Sequence, residues 1–400
     1  MKQKNLGNQL HMQNVKFNIK KIHETISDIE RQFNKIDEWF IPRNRVNFYL
    51  THDFHPYFAA FPPELVSRLL KKHSKVGDTF LDPFMGGGSS IVESFILGRN
   101  AIGLDISPLS KFITETKTMP IITNDKKISS ILSEIKNDIG RHTSENYKIF
   151  TYSIPDVTNI DKWFKRESKF DLAITLHHIK SIRDRSLRNF LLLAFSSIIR
   201  KVSNAKNAQQ HLCIKKNKKI PEVYPSFEQK VTLMVSQMKE YVAKQNKAYF
   251  SKPPKLYVYD ARKMEKIINP ESIDIIITSP PYGTGSRYTD VNRLNFEWLE
   301  LTKPKRDETM ETAKNFQLEL KKVFIQMFKV LKRGKYCFLV YGDPSTEGSL
   351  TRTAISDAIS IGFRYEGLIS CPIEKTIGLH HEKYRRFIPK DFILIFRKPK

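Results

Sequence analysis

Residues 273–283, Ile-Asp-Ile-Ile-Ile-Thr-Ser-Pro-Pro-Tyr-Gly, decide the fold. The run 273–277 is short, mostly apolar and rich in β-branched residues, which is typical of a strand buried in a parallel sheet. Pro280 and Pro281 end that strand, because proline cannot donate a hydrogen bond to a neighbouring strand. Ligands bind at the carboxyl ends of strands in open α/β sheets. The turn therefore offers a hydroxyl, stiff carbonyls and one aromatic ring to a ligand, which suits a flat ring with an exocyclic amino group.

A glycine-rich turn lies nearer the start of the chain. Residues 79–81 and 101–105 are predicted strands, and a predicted helix at 91–97 lies between them. Residues 82–90, Asp-Pro-Phe-Met-Gly-Gly-Gly-Ser-Ser, connect the first strand to the helix. Glycine lets the backbone approach a ligand closely, and a helix N-terminus offers unpaired N–H groups. This βαβ unit implies a parallel sheet, but its turn alone is compatible with a dinucleotide, a nucleoside or no ligand.

Asp105 and Asp260 end two further predicted strands. An acidic residue at the end of the strand after a glycine turn commonly accepts hydrogen bonds from ribose hydroxyls. Capping of the helices that follow, at 107–116 and 261–268, is the alternative for each residue alone. The glycine turn and both carboxylates together outline an adenosine-shaped pocket, which capping explains poorly.

The α/β alternation is interrupted once. Residues 120–250 are lysine-rich and mostly helical in pattern. The last predicted strand, 391–397, can pair with 365–369 as a hairpin. Residues 22–40 have helical spacing of apolar side chains. We therefore predict an α/β fold with a mostly parallel, doubly wound sheet, an antiparallel C-terminal strand and a helical basic insertion.

Composition favours a polyanionic partner. Lys and Arg number 67 and Asp and Glu 42, which gives a net charge of +25, and nucleic acid is favoured over a membrane surface. A lysine-rich proteome without binding significance is the alternative. Three scattered cysteines form no CxxC pair, so a reducing, cytoplasmic setting is expected. We expect no membrane contact, because no apolar stretch is long enough to span a bilayer and the first residues lack a signal-type apolar core.

Four motifs, taken in order, resemble the amino-group DNA methyltransferases that use S-adenosylmethionine and modify cytosine N4 or adenine N6. They are DPFMGGG at 82–88, GLDISP at 103–108, VYDARKM at 258–264 and DIIITSPPYG at 274–283. The long insertion between the glycine motif and SPPY is similar to the alpha arrangement of that family. The resemblance covers residues 43–120 and 250–400, and residues 54–69 resemble the segment before the glycine motif. It implies a Rossmann-like methyltransferase fold.

The resemblance assigns roles to individual positions. S-adenosylmethionine would be the cofactor, with its ribose held by Asp105 and its adenine amino group by Asp260. Its methionine end would be lined by Asp82, Phe84, Gly86 and Gly88, and its carboxylate would be approached by His55 and Pro56. The target base would be held by the catalytic turn, Ser279, Pro280, Pro281 and Tyr282.

The residue types of the SPPY turn suit methyl transfer to an amino group. An exocyclic amino nitrogen is a poor nucleophile, because its lone pair is delocalised into the ring. Acceptors such as the hydroxyl of Ser279 and the carbonyl of Pro280 favour a pyramidal nitrogen. Tyr282 can stack on the base and face the sulfonium, a cation–π contact of about 0.5–2 kcal/mol. The base of a duplex reaches such a pocket only after flipping. No metal-ligand constellation is needed, and we predict no metal site.

The TSPPY form is most typical of the cytosine-N4 branch, whereas adenine-N6 enzymes more often carry DPPY. We therefore expect site-specific methylation of cytosine N4 in double-stranded DNA, in the setting of a restriction-modification system with a partner endonuclease in a prokaryotic cell. Three alternatives are adenine-N6 methylation by the same fold, guanine-N2 methylation of RNA, and a non-catalytic DNA-binding protein on a relic fold.

The insertion is the expected DNA-contacting region. Residues 200–255 carry 13 basic residues against three acidic ones, with aromatic residues between them. The predicted DNA contacts are Lys215, Lys216, Lys218 and Lys219 in the insertion and Arg287 and Arg293 after the SPPY turn. A disordered lysine-rich loop is the alternative. We divide the chain into a helical N-terminal extension (1–45), a first catalytic part (46–120), the insertion as target-recognition region (121–252) and a second catalytic part (253–400).

Overall fold

An eight-stranded sheet is central to the computed structural model, which describes residues 37–39, 49–57, 62–119, 124–142, 152–206, 212–244, 252–281, 288–305, 310, 316–342, 349–372 and 390–400. Its strands are β1 (Asp37–Glu38), β2 (Thr79–Asp82), β3 (Asn100–Asp105), β4 (Lys255–Val258), β5 (Ile273–Thr278), β6 (Leu331–Gly342), β7 (Arg364–Pro372) and β8 (Lys390–Arg397). The strand order across the sheet is β1-β7-β8-β6-β5-β2-β3-β4. Strand β8 runs antiparallel to β6 and β7, and the other pairs are parallel. The predicted fold class is therefore confirmed.

Some helices cover the two faces of the sheet, and others form a helical unit. The α-helices are α1 (Pro63–His73), α2 (Ser89–Ile96), α3 (Pro108–Thr118), α4 (Asp125–Arg141), α5 (Ile160–Trp163), α6 (Arg166–Lys180), α7 (Arg185–Ile198), α8 (Val223–Lys244), α9 (Tyr288–Val291), α10 (Arg293–Trp298), α11 (Phe316–Val330) and α12 (Ser349–Ile361). Two 3₁₀ helices span Leu50–Phe54 and Ala261–Lys266. The helical unit, defined as α4 to α8, corresponds to the predicted insertion.

Strand β5 is buried along its whole length because helices cover both of its faces. Ile275 and Ile277 pack in one apolar layer with side chains of α1 and α2. Ile276 packs in the opposite layer with side chains of α11 and α12. Successive side chains of a strand point to opposite faces, so a continuous apolar run suits this position.

The sheet order reverses between β2 and β5. The chain builds outward from β2 through β3 to β4, and in the other direction from β5 to β6. Strands β2 and β5 are direct parallel neighbours, with Phe80 opposite Ile275 and Leu81 opposite Ile276. This is a topological switch point, where the loops that leave the two strands diverge and open a crevice for a ligand.

The helical unit shares a core with elements outside it. Its buried side chains form one cluster with residues of the 3₁₀ helix Leu50–Phe54, α3 and α10. Trp298 is fully buried, and its ring centroid lies 5.6 Å from that of Phe164 and 6.0 Å from that of Phe195. The helical unit is therefore packed through apolar side chains against the part of the chain that follows the SPPY turn.

Two predicted helices differ from the structure. The helix predicted over 22–40 is wrong for Asp37–Glu38, which pair with β7 through the main chain; residues 1–36 lie outside the described part. The helix predicted at 261–268 is a short 3₁₀ helix with a non-helical Lys263. The domain boundaries at 45, 120 and 252 stay a prediction. Within the described residues, no helix is both long and apolar enough to cross a membrane.

The shared core predicts a large loss of stability for Trp298→Ala. Removing a buried indole leaves a cavity between α10 and the helical unit, so we expect the free energy of unfolding to fall by about 3–5 kcal/mol. Leu318→Ala is the control, because Leu318 is 57% exposed and should change stability by less than about 0.5 kcal/mol. Urea denaturation followed by circular dichroism measures both, and equal effects of the two substitutions would contradict the shared core.

Candidate functional site at the carboxyl edge of the sheet

A carboxylate joins the two predicted motifs. Asp82 ends β2 and Thr278 ends β5, and the Thr278 hydroxyl donates a hydrogen bond of 2.6 Å to Oδ1 of Asp82. The same carboxylate accepts the N–H of Phe84 at 2.9 Å and the hydroxyl of Ser90. The glycine turn and the SPPY turn are thus tied together at the switch point.

Burial dominates the electrostatics of Asp82. The side chain is 0% exposed, and desolvation raises its pKa to about 6 although three donors oppose the shift. The nearby Asp105 carboxylate raises it further. Both Asp82 oxygens are engaged by the protein, so Asp82 shapes the predicted methionine end of the site through the backbone it holds.

The glycine turn adopts a conformation that requires glycine. Gly86 has φ +47° and Gly88 has φ +78°, and Gly88 leads directly into α2. A Cβ atom on Gly88 would lie 2.5 Å from Oγ1 of Thr114. The Tyr57 ring lies against Gly86 and Gly87, and its hydroxyl is 2.9 Å from Oγ of Ser110. Tyr57 was missed in the sequence, where only its neighbours His55 and Pro56 were singled out.

Asp105 contacts the glycine turn directly. Its Oδ2 accepts the N–H of Gly86 at 3.0 Å, and its Oδ1 accepts the N–H of Ser107 at 2.8 Å. The side chain is half-buried at the end of β3, and desolvation raises its pKa to about 6 against these hydrogen bonds. At pH 7 to 8 the carboxylate is therefore ionised and able to accept hydroxyl hydrogens.

Asp260 follows β4, next to the end of β3 that carries Asp105, but its carboxylate contacts another group. The N–H of Tyr259 donates to the Asp105 carbonyl at 2.9 Å, which brings the two strand ends together. The Asp260 carboxylate accepts Nε of Arg262 at 2.9 and 3.0 Å and the Arg262 N–H at 2.9 Å. Arg262 also contacts Glu319 at 2.6 Å. Asp260 thus caps the 3₁₀ helix, as the alternative for this residue stated, and its contact with adenine stays a prediction.

His55 is a buried, neutral part of a polar network. Its Nδ1–H donates to the Pro56 carbonyl at 2.9 Å, so that Nε2 accepts the Ser196 hydroxyl at 2.9 Å. The Asn295 amide donates to the Ser196 carbonyl at 2.7 Å. Burial, together with Lys117 and Lys230, lowers the pKa of His55 to about 3. His55 is therefore neutral and would not attract the cofactor carboxylate through a positive charge. Pro56, the other residue predicted to approach that carboxylate, is exposed.

The predicted base-holding residues are described only in part. Ser279 and Pro281 are half-buried and Pro280 is buried, directly after Thr278. Tyr282 and Arg287 lie outside the described residues. Phe84 is half-buried at the start of the glycine turn. It belongs to the segment of Asp82, whereas Ser279 and the two prolines follow Thr278. The predicted catalytic positions therefore begin one residue after Thr278, whose hydroxyl contacts Asp82.

Three of the four predicted lysine contacts are exposed on the helical unit: Lys215, Lys216 and Lys219. Lys218 differs, because its ammonium donates to the carbonyls of Arg200, Ser203 and Ala205 at 2.9, 2.7 and 2.8 Å. Burial lowers the pKa of Lys218 to about 8. Lys218 therefore binds the carbonyls that follow α7 and is not placed to contact a phosphate.

Arg293 is also used inside the protein. Its guanidinium carbon lies 5.3 Å from the centroid of the Trp163 ring, and its Nε lies 3.9 Å from Oε1 of Glu297. Sequence spacing gave no sign of the contact between Arg293 and Trp163, because 130 residues separate them. Within the described ranges, no group of three or more His, Cys, Asp or Glu residues has the arrangement of a metal site.

A Gly→Ala substitution in the turn and one in an exposed helix should have opposite effects on stability. Gly88→Ala combines left-handed strain with overlap against Thr114, so we expect a loss of about 2–4 kcal/mol in the free energy of unfolding. Gly140→Ala, on the exposed side of α4 with open space around it, should raise it by up to about 1 kcal/mol. Chemical denaturation compares them, and an unchanged stability of Gly88→Ala would contradict the described turn.

The Asp82–Thr278 hydrogen bond predicts a pH-dependent loss of stability. The folded pKa of Asp82, about 6, exceeds its ordinary value of 3.8, so its protonation stabilises the fold below about pH 4 and this contribution is lost as the pH rises through 6. Thr278→Val removes a donor from the ionised form. We expect a loss of about 1–3 kcal/mol at about pH 8 and a smaller loss at about pH 5.

The control for Thr278→Val is Thr116→Val. Thr116 is buried, but its hydroxyl donates to the neutral main-chain carbonyl of Phe112 at 2.8 Å. Its cost should be the same at both pH values. Urea denaturation at each pH measures both variants, and a pH-independent cost for Thr278→Val would show that its hydroxyl does not serve the Asp82 carboxylate.

Comparison with known proteins agrees with this geometry. Residues 2–116 match the family described as DNA methylase, of the N6/N4 group. The type II methyltransferase M.MvaI of Kocuria varians is 30% identical over 291 residues, which cover 69% of this chain and 63% of the relative. The type II methyltransferase M.MjaII of Methanocaldococcus jannaschii is 42% identical over 86 residues, 22% of this chain and 16% of the relative.

Among solved structures, a SAM-dependent methyltransferase from Methanosarcina mazei aligns with 83% of this chain and 97% of its own, at a TM-score of 0.36 and 10% identity. The matches to M.MvaI and M.MjaII span less than two thirds of the length of either relative. The family match and the type II methyltransferase relatives support an amino-group DNA methyltransferase of the N4/N6 family.

Proposed function

We propose that this chain transfers a methyl group from S-adenosylmethionine to the exocyclic N4 of cytosine at a specific site in double-stranded DNA. The observation that carries the proposal is the hydrogen bond from Thr278 to Asp82. It holds the glycine turn and the SPPY turn at one edge of the sheet, so a donor bound by the first lies beside a base held by the second. Methyl transfer requires such proximity and orientation.

The residues of the edge fit S-adenosylmethionine. Gly86 and Gly88 take positive φ values after β2, and α2 begins directly after Gly88, so its N-terminus lies at the same edge of the sheet as the turn. Asp105 is half-buried and ionised at neutral pH, so it can accept the ribose hydroxyls. When bound, S-adenosylmethionine supplies an electrophilic methyl group on a sulfonium sulfur.

Ser279 and Pro280 hold and orient the target amino group. The Ser279 hydroxyl and the Pro280 carbonyl accept its two N–H hydrogens, which turns the nitrogen lone pair towards the methyl group. S-adenosylmethionine held by the glycine turn and Asp105 would supply the methyl group, with the electrons of its S–C bond left on sulfur, and Ser279 and Pro280 would hold the amino nitrogen until its proton leaves for solvent. Tyr282, by its position in the sequence, stacks on the flipped base.

Cytosine is favoured over adenine because Ser279 stands where adenine-specific members of the family more often have aspartate. The family includes both specificities, so the base is decided by experiment. The relatives that match over part of the chain are type II methyltransferases, which supports a role as the modification enzyme of a restriction-modification system in the cytoplasm, with a partner endonuclease.

Direct detection of the product tests the proposal. The purified chain is incubated with methyl-labelled S-adenosylmethionine and with duplex DNA, tRNA or rRNA, and the products are digested to nucleosides for mass spectrometry. We expect label in DNA as N4-methylcytosine. N6-methyladenine alone would move the assignment to adenine, and label in RNA alone would overturn the DNA substrate. If the chain binds DNA but not the cofactor, and no nucleic acid becomes labelled, the protein is non-catalytic.

A variant of the turn separates chemistry from cofactor binding. Ser279→Ala removes a proposed acceptor for the amino group, so kcat should fall by about tenfold or more. The Kd for S-adenosylmethionine should be unchanged, because Ser279 lies on the base side of the site. A parallel loss of cofactor affinity would contradict the assigned role of Ser279.

The exposed lysines of the helical unit predict the salt dependence of DNA binding. Each phosphate contact contributes about 0.9 to the slope of log Kd against log salt concentration. Replacing Lys215, Lys216 and Lys219 together by glutamine should therefore reduce this slope by about 2–3. Lys218→Gln is the matched control, because its ammonium is bound to three carbonyls. It should lower stability and leave the slope unchanged, and the reverse pattern would place DNA elsewhere.

A further inference from the structure

Lys117 of α3 is a fully buried lysine close to the glycine turn. Its side chain is 1% exposed, and its ammonium donates a hydrogen bond of 2.9 Å to the carbonyl of Gly87. Among the residues that the structure describes, no carboxylate lies within 4.0 Å of that ammonium. Lysine is almost never fully buried unless it is paired with an opposite charge. An ordinary ion pair therefore does not account for this lysine.

The charged and titratable groups around Lys117 come from three sides. Lys230 of α8 repels it, and Asp53 of the 3₁₀ helix attracts it; Lys230 itself donates to the Asp53 carbonyl at 2.6 Å. His55 and His52 are buried nearby, and Lys117 helps to lower the pKa of both. Burial and Lys230 together lower the pKa of Lys117 to about 7. These surroundings thus disfavour the charged form of Lys117, whose ammonium donates its hydrogen bond to the Gly87 carbonyl.

The glycine turn is held from three directions, and Lys117 provides one of them. Asp105 accepts the Gly86 N–H on one side. Tyr57 covers the turn on a second side, since a Cβ atom on Gly87 would lie 2.7 Å from the Cβ of Tyr57. Lys117 holds the Gly87 carbonyl on the third. Three successive glycines have wide conformational freedom, and within the turn the Gly88 N–H donates to the Met85 carbonyl at 2.8 Å. The contacts from outside add to this hydrogen bond in selecting one arrangement of the peptide planes.

We propose that Lys117 is a positioning residue for the cofactor: it fixes the peptide plane between Gly87 and Gly88 and so preorganises the turn that binds S-adenosylmethionine. This rests on the proposed function, which assigns the turn to that cofactor. Lys117 lies behind the turn and touches it through one carbonyl. A ligand that binds a preorganised turn does not have to order it, so its affinity is higher.

The test compares wild-type chain with Lys117→Met, which keeps the length of the side chain and removes the ammonium. Calorimetry gives the Kd for S-adenosylmethionine between about pH 6.5 and about pH 8.5. At the lower pH we expect the Kd of the variant to be about tenfold higher than that of the wild type. The ratio should fall towards one at the higher pH, where Lys117 of the wild type is neutral and a weaker donor. The ratio cancels the titration of Asp82 and Asp105, which is common to both proteins.

A second variant keeps the Lys117 ammonium and changes its environment. Lys230→Met removes the repulsion that lowers the Lys117 pKa, so the wild-type pH dependence of the Kd should move to higher pH. This variant tests the proposal even if Lys117→Met does not fold. A pH profile that Lys230→Met leaves in place would overturn it, as would a Kd ratio for Lys117→Met that is one at every pH or does not vary with pH.

Amide hydrogen exchange separates this proposal from the proposed function. Lys117→Met should speed exchange at residues 86–88 in the chain without cofactor, because the clamp on the Gly87 carbonyl is lost. If the wild type binds no S-adenosylmethionine, the proposed function fails. If the wild type binds it and both exchange and affinity are the same in Lys117→Met, the positioning role alone fails.

Discussion

The Asp82 carboxylate is the constraint on which the site depends. It accepts the Thr278 hydroxyl at 2.6 Å and, from the segment that follows β2, the Phe84 N–H and the hydroxyl of Ser90 in α2. A fully buried carboxylate is costly unless its oxygens are satisfied, so the donors and the acceptor hold each other in place. Because Asp82 ends β2 and Thr278 ends β5, this one group sets the distance between the two loops that diverge at the switch point. The proposed methyl donor and the proposed target base inherit that spacing.

A second set of buried polar contacts connects the site to the helical unit. His55 contacts Ser196 of α7, and Asn295 of α10, which follows the SPPY turn, reaches the same serine. Lys230 of α8 reaches the carbonyl of Asp53. The apolar cluster that contains Trp298 also includes residues of the 3₁₀ helix Leu50–Phe54, α10 and the helical unit. Three parts of the chain thus meet in one core: the segment before the glycine turn, the helix after the SPPY turn and the helical unit. DNA bound by the helical unit would therefore have a fixed position relative to the cofactor site.

Elements with a strong local pattern could be predicted from the sequence. The β-branched run before Thr278 and the glycines at 86–88 gave the parallel sheet and its ligand-binding edge, because strand burial and positive φ leave direct marks on residue type. Contacts between distant residues left no such mark. Lys218 looked like its neighbours in a basic run, yet it turns inward to three carbonyls, and Arg293 stacks on Trp163. Lys117 was not singled out, since nothing in a helix pattern distinguishes a buried lysine from an exposed one.

The central claim is that a cofactor bound by the glycine turn lies beside the group held by the SPPY turn. A crystal structure of the chain with S-adenosylhomocysteine and a duplex that carries the target site tests it most directly. The account predicts the ribose hydroxyls on Asp105, the sulfur at the crevice between β2 and β5, and a flipped cytosine whose amino group contacts Ser279 and Pro280. A cofactor bound away from the glycine turn, or a base amino group that contacts neither residue, would contradict it.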